Sequence, residues 1–234
     1  MSDLSVFPIT QRWPASHPEL LQLYSMPTPN GVKVSIMLEE IGLPYEVHLV
    51  NIFKNESNAP EYVSLNPNGK IPAIIDPNGP DGVPLALFES GAILLYLAEK
   101  TGQLIPSDPA ARYEIIQWIF FQMAAVGPMF GQLGYFFKFA GKELEDKRPL
   151  QRFADESKRL LGVLETRLTG RDWIMGDTYS IADIAMIGWV RLLPDFYGAG
   201  ELLDFDSFTR VGDWLQRCLA RPAVQRGLNI PERP

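Results

Sequence analysis

The order of hydrophobic patterns in the first hundred residues restricts this chain to few folds. Leu21 and Leu23 point to one side of a predicted strand, and apolar residues at helical spacing over 34–41 predict a helix that ends at Gly42. Alternation resumes over 45–50, which predicts a second strand. This part of the sequence therefore predicts a β–α–β unit.

Two more strands and a helix follow in the same region. The apolar segments 71–75 and 85–88 have the length and composition of strands, and the turn-rich segment 76–82 joins them. Helical spacing then extends over 90–100. A β–α–β unit followed by β–β–α is the order of the thioredoxin-like fold. We therefore predict an α/β thioredoxin-like domain over residues 20–101.

The rest of the chain shows helical spacing without a strand pattern. Predicted helices cover residues 113–126, 149–168, 181–193 and 208–220. We expect the dipeptide Gly127-Pro128 to interrupt the first of these helical regions. Ser180 and Asp183 match an N-capping box, which is a folding feature rather than a site. These patterns predict an all-helical domain over residues 109–234.

Residues 1–19 differ from both domains because they show no sustained period. They are rich in proline and polar groups, and we predict that they form an N-terminal arm ahead of the fold. Phe7 and Trp13 are the side chains that could hold such an arm in place. A mobile terminus is the alternative interpretation.

Composition and charge exclude several classes of function. A net charge of −7 without any basic run argues against a nucleic-acid partner. The apolar stretches are shorter than the roughly 18 residues that a membrane helix needs. A lone cysteine, Cys218, cannot form an internal disulfide, and together with two histidines it offers no metal cluster. We expect a soluble, cytoplasmic protein that binds no metal and in which Cys218 is packed and inert.

The first predicted helix begins without a cysteine. The apolar run of the first strand stops at Pro27, and a helix start follows with Thr28 as its cap and Pro29 in its first turn. A thioredoxin-like fold carries its reactive sulfur at this helix N-terminus, where the thiolate is favoured. Since a threonine stands there, thiol chemistry at this site would require a sulfur that arrives with a ligand.

Four segments of the chain resemble the glutathione transferases, over residues 20 to about 225. They are T-P-N-G at 28–31, N-P-N-G-K-I-P-A-I at 66–74, F-E-S-G-A-I-L-L-Y-L at 88–97 and Y-S-I-A-D-I-A at 179–185. The T-P-N helix start and the N-x-K-I-P segment are most similar to the bacterial nu class, which are glutathione-dependent disulfide-bond reductases. The resemblance implies a thioredoxin-like N-terminal domain followed by an all-α C-terminal domain, the glutathione transferase fold.

The resemblance also implies which residues bind glutathione in the first domain. Ile71-Pro72 would be a cis peptide, and the N–H and C=O of Ile71 would pair with the tripeptide as with an extra strand. Glu89 would take the ammonium of the γ-glutamyl group, and Ser90 its carboxylate. Lys70 would reach the glycyl carboxylate. The alternatives are a trans proline, a purely capping Ser90 and a solvated surface lysine.

Three residues compete for the role of tuning the sulfur, and a fourth would reach the site from the helical domain. Thr28 and Asn30 could each donate a hydrogen bond to a bound thiolate, although Thr28 could also serve only as a cap. Tyr24 is the second choice, because other branches of the family use a tyrosine of the first strand. Arg152 matches an arginine that nu-class relatives direct into the site, with an exposed helix arginine as the alternative.

The second-substrate pocket is expected to be apolar and close to the predicted helix break. Its candidate residues combine aromatic rings with a flexible methionine: Met129, Gln132, Tyr135 and Phe136. Such residues are also typical of a core.

The function implied by the resemblance is glutathione-dependent reduction of disulfides and organic peroxides by a cytoplasmic homodimer. Glutathione or oxidised glutathione would be the partner and co-substrate. Two alternatives remain: a glutathione-binding regulatory module with little turnover, and a transferase that conjugates glutathione to electrophiles.

Overall fold

The computed structural model describes residues 4–232, which divide into two compact units. The first unit runs to Gln103 and takes up the chain again from Pro222, whereas the second unit is Leu104–Arg221. Residues 1–3 of the predicted arm and residues 233–234 of the predicted helical domain lie outside the described residues. Within 4–232, no helix combines the length and apolar character needed to cross a membrane.

The elements follow the predicted order along the chain. The strands are β1 (Leu21–Ser25), β2 (Tyr45–Leu49), β3 (Ala73–Asp76) and β4 (Leu85–Phe88). The helices are α1 (Ile9–Arg12), α2 (Gly31–Ile41), α3 (Pro60–Leu65), α4 (Ser90–Thr101), α5 (Pro109–Phe121), α6 (Gly127–Phe137), α7 (Arg148–Arg167), α8 (Ile181–Leu192), α9 (Gly200–Leu203), α10 (Thr209–Leu219) and α11 (Pro222–Gly227).

The first unit contains one mixed four-stranded sheet in the order β2-β1-β3-β4. β2 runs parallel to β1, and β3 and β4 are antiparallel to their neighbours. In the register, Tyr24 of β1 lies opposite Ala73 of β3, which in turn lies opposite Phe88 of β4. This confirms the thioredoxin-like fold, although β3 begins at Ala73 rather than at Ile71.

Helices cover both faces of this sheet. Tyr24, Ala73 and Ile75 belong to one apolar cluster with Ile9 of α1 and Tyr62 of α3. The next residues along β1 and β3 point to the opposite face because side chains alternate along a strand. α2 and α4 contact each other, and α4 also contacts β3 and β4. The apolar stripe predicted in α2 is buried.

The N-terminal segment packs on the first unit from Leu4 onwards. Leu4 and Ile9 are buried in the apolar cluster that contains Tyr24. Trp13 donates a hydrogen bond from its indole N–H to the carbonyl oxygen of Leu49, at 3.1 Å. The described part of the predicted arm is therefore anchored to the end of β2.

The C-terminal segment returns to the first unit, whereas the sequence pattern placed it with the helical domain. The Ser35 hydroxyl of α2 donates to the carbonyl oxygen of Gly227 in α11, at 2.6 Å. A Cβ atom on Gly227 would lie only 2.6 Å from the Cα of Ile36, so this approach requires glycine. α11 thus covers a second side of α2.

The second unit is helical, but its predicted helix break does not occur. A π turn over Gln122–Val126 joins α5 to α6, and the Gly127 N–H bonds to the carbonyl of Gln122, five residues earlier. Pro128 lies in the first turn of α6, where a missing N–H costs little. The wider turn absorbs the irregularity that proline causes, and the backbone stays helical through Gly127.

The predicted capping box at the start of α8 is confirmed. Both reciprocal bonds between Ser180 and Asp183 are present. The Asp183 carboxylate also accepts hydrogen bonds from the Ile174 N–H at 2.9 Å and from the indole N–H of Trp214 at 2.8 Å. α8 is almost wholly buried, as its apolar sequence predicted. Asp183 therefore connects three segments of this unit.

Candidate functional site

The segments predicted to bind glutathione lie at the same end of the sheet. Because Tyr24 lies opposite Ala73 and Ala73 opposite Phe88, three chain segments meet at this edge. They are the segment that follows β1 and leads to Thr28, the dipeptide Ile71-Pro72 that precedes β3, and Glu89-Ser90 after β4. The fold thus assembles the predicted residues of the first unit.

Asn30, rather than the predicted Thr28, occupies the N-cap position of α2, but Thr28 still contacts the first turn of this helix. Its hydroxyl oxygen accepts a hydrogen bond from the Gly31 N–H at 3.2 Å, and its carbonyl accepts one from the Val32 N–H at 3.0 Å. A hydroxyl that accepts here still carries its own proton as a donor. The contact of Thr28 with the first turn of α2 is therefore compatible with donating a hydrogen bond to a ligand sulfur. Asn30 lies half-buried in the same turn.

Gly31 permits the sharp approach between the end of β1 and α2. A Cβ atom at this position would lie 1.9 Å from the carbonyl oxygen of Met26 and 2.6 Å from the Ser25 hydroxyl. Both contacts are far inside van der Waals distance. The glycine of the T-P-N-G segment therefore shapes the loop that presents Thr28.

The loop ahead of β3 is fixed through the carbonyl group of Lys70. It accepts hydrogen bonds from the Asn66 amide at 2.6 Å and from the Tyr62 hydroxyl at 2.7 Å. Ile71-Pro72 is a cis peptide, as predicted. Ile71 precedes the first paired residue of β3, so its N–H and C=O lie outside the ladder. The Lys70 side chain is exposed.

At the junction between β4 and α4, the alternative of Ser90 as a helix cap is wrong. Glu89 rather than Ser90 occupies the N-cap position, and its carbonyl accepts from the Ile93 N–H at 2.9 Å. Glu89 has φ 73° and ψ 110°, a backbone conformation that residues other than glycine rarely adopt. Ser90 is the first helical residue and is buried. The Glu89 side chain is exposed at the sheet edge.

A buried lysine lies behind this junction, and the sequence analysis missed it. Lys33 in the first turn of α2 is fully buried, and its ammonium nitrogen lies 3.2 Å from the Ser90 hydroxyl oxygen. Burial lowers the pKa of Lys33 to about 7, while the nearby charge of Glu89 acts to raise it. The helical spacing of its apolar neighbours gave no sign that a lysine would be enclosed.

The structure separates Tyr24 from the other candidates for tuning the sulfur. Its ring is stacked on His48, with centroids 4.6 Å apart, and meets Trp13 edge to face. Its hydroxyl is buried and has no hydrogen-bond partner among the described residues. Burial, and secondarily the charge of Glu46, raises the pKa of Tyr24. This placement in the core favours Thr28 for the role.

The candidates from the second unit lie along α6 and α7. Met129, Arg152 and Phe153 line a cavity of about 730 Å³ together with further charged residues of α7. Phe136 stacks on Phe153 with ring centroids 5.4 Å apart, so it supports this wall. Arg152 is exposed within it. The structure thus brings Met129 and Arg152 to one cavity.

Two remaining pocket candidates are open to solvent on α6. Gln132 is exposed, and Tyr135 keeps 46% of its surface exposed. Cys218 is fully buried in α10. Within residues 4–232, no group of three histidine, cysteine, aspartate or glutamate side chains is arranged to hold a metal ion.

Both halves of the chain match known sequence families. Residues 19–99 match the N-terminal domain of glutathione S-transferases, and residues 126–222 match their C-terminal domain. The chain is 42% identical over 219 residues to the disulfide-bond oxidoreductase YghU of Escherichia coli, a match that covers 90% of this chain and 74% of that protein.

Two solved structures are similar over nearly the whole chain. A glutathione transferase from Burkholderia graminis, with two glutathione molecules bound per subunit, has a TM-score of 0.98 and 69% identity, covering 100% of this chain and 98% of that one. A glutathione transferase from Pseudomonas putida, with one glutathione disulfide bound per subunit, has a TM-score of 0.96 and 62% identity, covering 98% and 99%. The chain belongs to the glutathione S-transferase family, and its similarity to a bacterial disulfide-bond oxidoreductase agrees with a member of nu-like type.

Proposed function

We propose that this protein is a glutathione-dependent disulfide-bond reductase whose catalytic sulfur belongs to bound glutathione. The observation that carries this proposal is that Thr28 precedes α2 at the end of the sheet where Ile71-Pro72 and Glu89-Ser90 also lie, and that no cysteine stands there. The relatives support it, since YghU is a disulfide-bond oxidoreductase and the two similar structures hold glutathione or its disulfide.

Glutathione would lie along the end of the sheet where β3 begins and β4 ends. Glu89 would bind the ammonium of its γ-glutamyl group, while the Ser90 hydroxyl and the N-terminal N–H groups of α4 would bind the carboxylate. The backbone of Ile71 at the cis Pro72 junction would pair with the cysteinyl residue, and exposed Lys70 would reach the glycyl carboxylate. This order places the cysteinyl sulfur toward the start of α2.

Thr28, with Asn30 beside it, would stabilise the thiolate. The partial positive charge at the N-terminus of α2 and the Thr28 hydroxyl would lower the pKa of the bound thiol. The thiolate attacks one sulfur of the substrate disulfide, forming a mixed disulfide and releasing the other sulfur as a thiolate. A second glutathione thiolate then attacks the mixed disulfide, giving oxidised glutathione and the second product thiol. Two electrons pass from two glutathione molecules to one disulfide.

The cavity on the second unit would receive the disulfide substrate. Its lining carries three arginines, among them Arg152, and the two acidic residues Asp155 and Glu156, while Met129 and Phe153 supply apolar surface. Gln132 and Phe136 lie three and seven residues after Met129, on the same side of α6, and Tyr135 is the fourth residue proposed for the second-substrate pocket. A charged and partly apolar wall of this kind suits small disulfides that carry carboxylates, such as oxidised glutathione. Organic peroxides are a second class of oxidant that the same thiolate would reduce.

We also propose a cytoplasmic location and a homodimeric state. A single, fully buried cysteine is suited to a compartment in which glutathione is kept reduced.

Steady-state turnover of a small disulfide tests the proposed function. Glutathione and bis(2-hydroxyethyl) disulfide should give saturable production of oxidised glutathione well above the uncatalysed rate. Saturable glutathione binding with no rate above background would instead identify a binding module, and conjugation of an electrophile without disulfide reduction would identify a conjugating transferase.

Substituting Thr28 separates its role from that of Tyr24. Thr28→Ala should raise the pKa of the bound glutathione thiol by about 1 to 2 units, because a hydrogen bond to a charged group contributes about 1.5–3 kcal/mol. The ultraviolet absorbance of the thiolate, followed against pH, measures this shift. Thr28→Ser should retain the wild-type value.

Tyr24→Phe is the matched control for this prediction. Removing a buried hydroxyl that has no partner should leave the thiol pKa unchanged and should not lower stability. A raised thiol pKa in Tyr24→Phe together with an unchanged value in Thr28→Ala would transfer the role to Tyr24.

A further inference from the structure

Lys33 is enclosed between α2 and α4 at the point where the proposed site is built. None of its surface is exposed, although lysine is among the residues least often fully buried. α4 and α11 both pack against α2, and the Lys33 ammonium lies 3.2 Å from the Ser90 hydroxyl oxygen. If Lys33 were needed only for packing, an apolar side chain of the same length could replace it.

The contact between Lys33 and Ser90 has a direction. A protonated amine can only donate, so the Ser90 oxygen accepts this hydrogen bond and the hydroxyl proton points away from the amine. The positive charge of Lys33 is also felt by Glu89, since the two charges interact. Lys33 therefore acts on both residues that are proposed to bind the γ-glutamyl group.

We propose that Lys33 is a positioning residue of the glutathione site. Its buried ammonium orients the Ser90 hydroxyl and supplies positive charge behind the γ-glutamyl carboxylate, so that glutathione affinity depends on the protonation of this amine. The inference rests on the proposed function, and it adds a residue that need not touch the ligand.

The surroundings of Lys33 set the pH range of this effect. Glu89, at the start of α4, raises the pKa of Lys33, but burial outweighs it and leaves the pKa at about 7. The other charged groups on the helices packed against α2 are Glu99 and Lys100 at the far end of α4 and Arg226 of α11. Lys33 thus changes charge in the neutral range, and binding of a carboxylate favours its protonated form.

Calorimetric titration with S-methylglutathione tests this proposal because that ligand has no thiol to titrate. For the wild type, Kd should rise about fivefold to tenfold between pH 6.5 and pH 8.5. Lys33→Met, which keeps the length of the side chain, should bind about tenfold more weakly at pH 6.5 and should lose most of this pH dependence. Lys100→Met removes the same charge from the far end of α4 and should bind S-methylglutathione as the wild type does at both pH values, although it also breaks an ion pair with buried Asp76.

A melting curve distinguishes positioning from a purely structural role. In the folded protein the pKa of Lys33 lies below its unfolded value, so the unfolded chain binds more protons above pH 7 and wild-type stability rises with pH. Lys33→Met should lack this rise and should have an equal or higher Tm at pH 7. Weaker binding by a variant that is at least as stable supports the proposal.

Two outcomes would overturn the inference, and they are distinguishable. If Lys33→Met binds S-methylglutathione as tightly as the wild type and with the same pH dependence, Lys33 does not position the site. If the wild type itself does not bind this ligand at any pH, the proposed glutathione site is wrong and the role of Lys33 is lost with it.

Discussion

Replacing Glu89 by glycine should stabilise the protein and abolish most of its glutathione binding. At φ 73° and ψ 110°, the Glu89 backbone has a positive φ that glycine, which lacks a Cβ atom, adopts at lower cost than glutamate. Relief of this strain should raise the free energy of unfolding by about 1 kcal/mol. Loss of the carboxylate leaves the ligand ammonium unpaired, which costs about 2–4 kcal/mol or roughly a hundredfold in Kd. Thermal unfolding and calorimetric titration measure the two effects.

Two further variants separate strain from charge at this position. Glu89→Gln keeps the side chain and the strained backbone, so it should weaken binding without increasing stability. Asp81→Gly relieves a positive φ of 56° at an exposed turn and should increase stability without affecting binding. Wild-type glutathione affinity in Glu89→Gly would remove Glu89 from the γ-glutamyl site.

Replacing Asp183 by alanine should destabilise the second unit by about 3–5 kcal/mol. Its carboxylate accepts hydrogen bonds from the Ser180 N–H and hydroxyl, the Ile174 N–H and the indole of Trp214. Burial raises the pKa of Asp183 to about 6, although these hydrogen bonds act to lower it. Alanine leaves several buried donors unpaired and removes half of the capping box. Urea unfolding of the full chain measures the loss.

Asp177→Ala is the control for this prediction because Asp177 is exposed shortly before α8. Its effect on the free energy of unfolding should stay within about 0.5 kcal/mol. A loss below about 1 kcal/mol in Asp183→Ala would show that the network around the capping box contributes little. We would then assign the stability of α8 to apolar burial alone.

Local features of the sequence predicted much of the fold. The switch between alternating and helical spacing predicted the order of strands and helices along the first domain correctly, and the Thr28 hydroxyl bonds to the Gly31 N–H in the first turn of α2 although Asn30 is the N-cap. Ser180 and Asp183 form the predicted capping box because the side chain of each bonds to the backbone N–H of the other, only three residues away. Interactions within a few neighbouring residues decide all of these features, so they can be recognised in a single sequence.

Contacts between distant segments could not be predicted in this way. Lys33 is enclosed because α4 and α11 cover two sides of α2, and α11 lies about 190 residues further along the chain than the Ser35 it contacts. Anchoring of Trp13 to Leu49 is likewise a long-range contact. Ser90 does not cap α4 because Glu89 occupies the N-cap position with a positive φ, which propensities do not anticipate for glutamate.

The central claim is that the reacting sulfur comes from glutathione and not from the protein. Disulfide turnover by Cys218→Ser and Cys218→Ala, which contain no cysteine, tests it most directly. Both variants should reduce bis(2-hydroxyethyl) disulfide with glutathione at kcat/KM within about twofold of the wild type, since Cys218 is fully buried. A loss of turnover in both variants, with glutathione binding and melting temperature retained, would contradict the account.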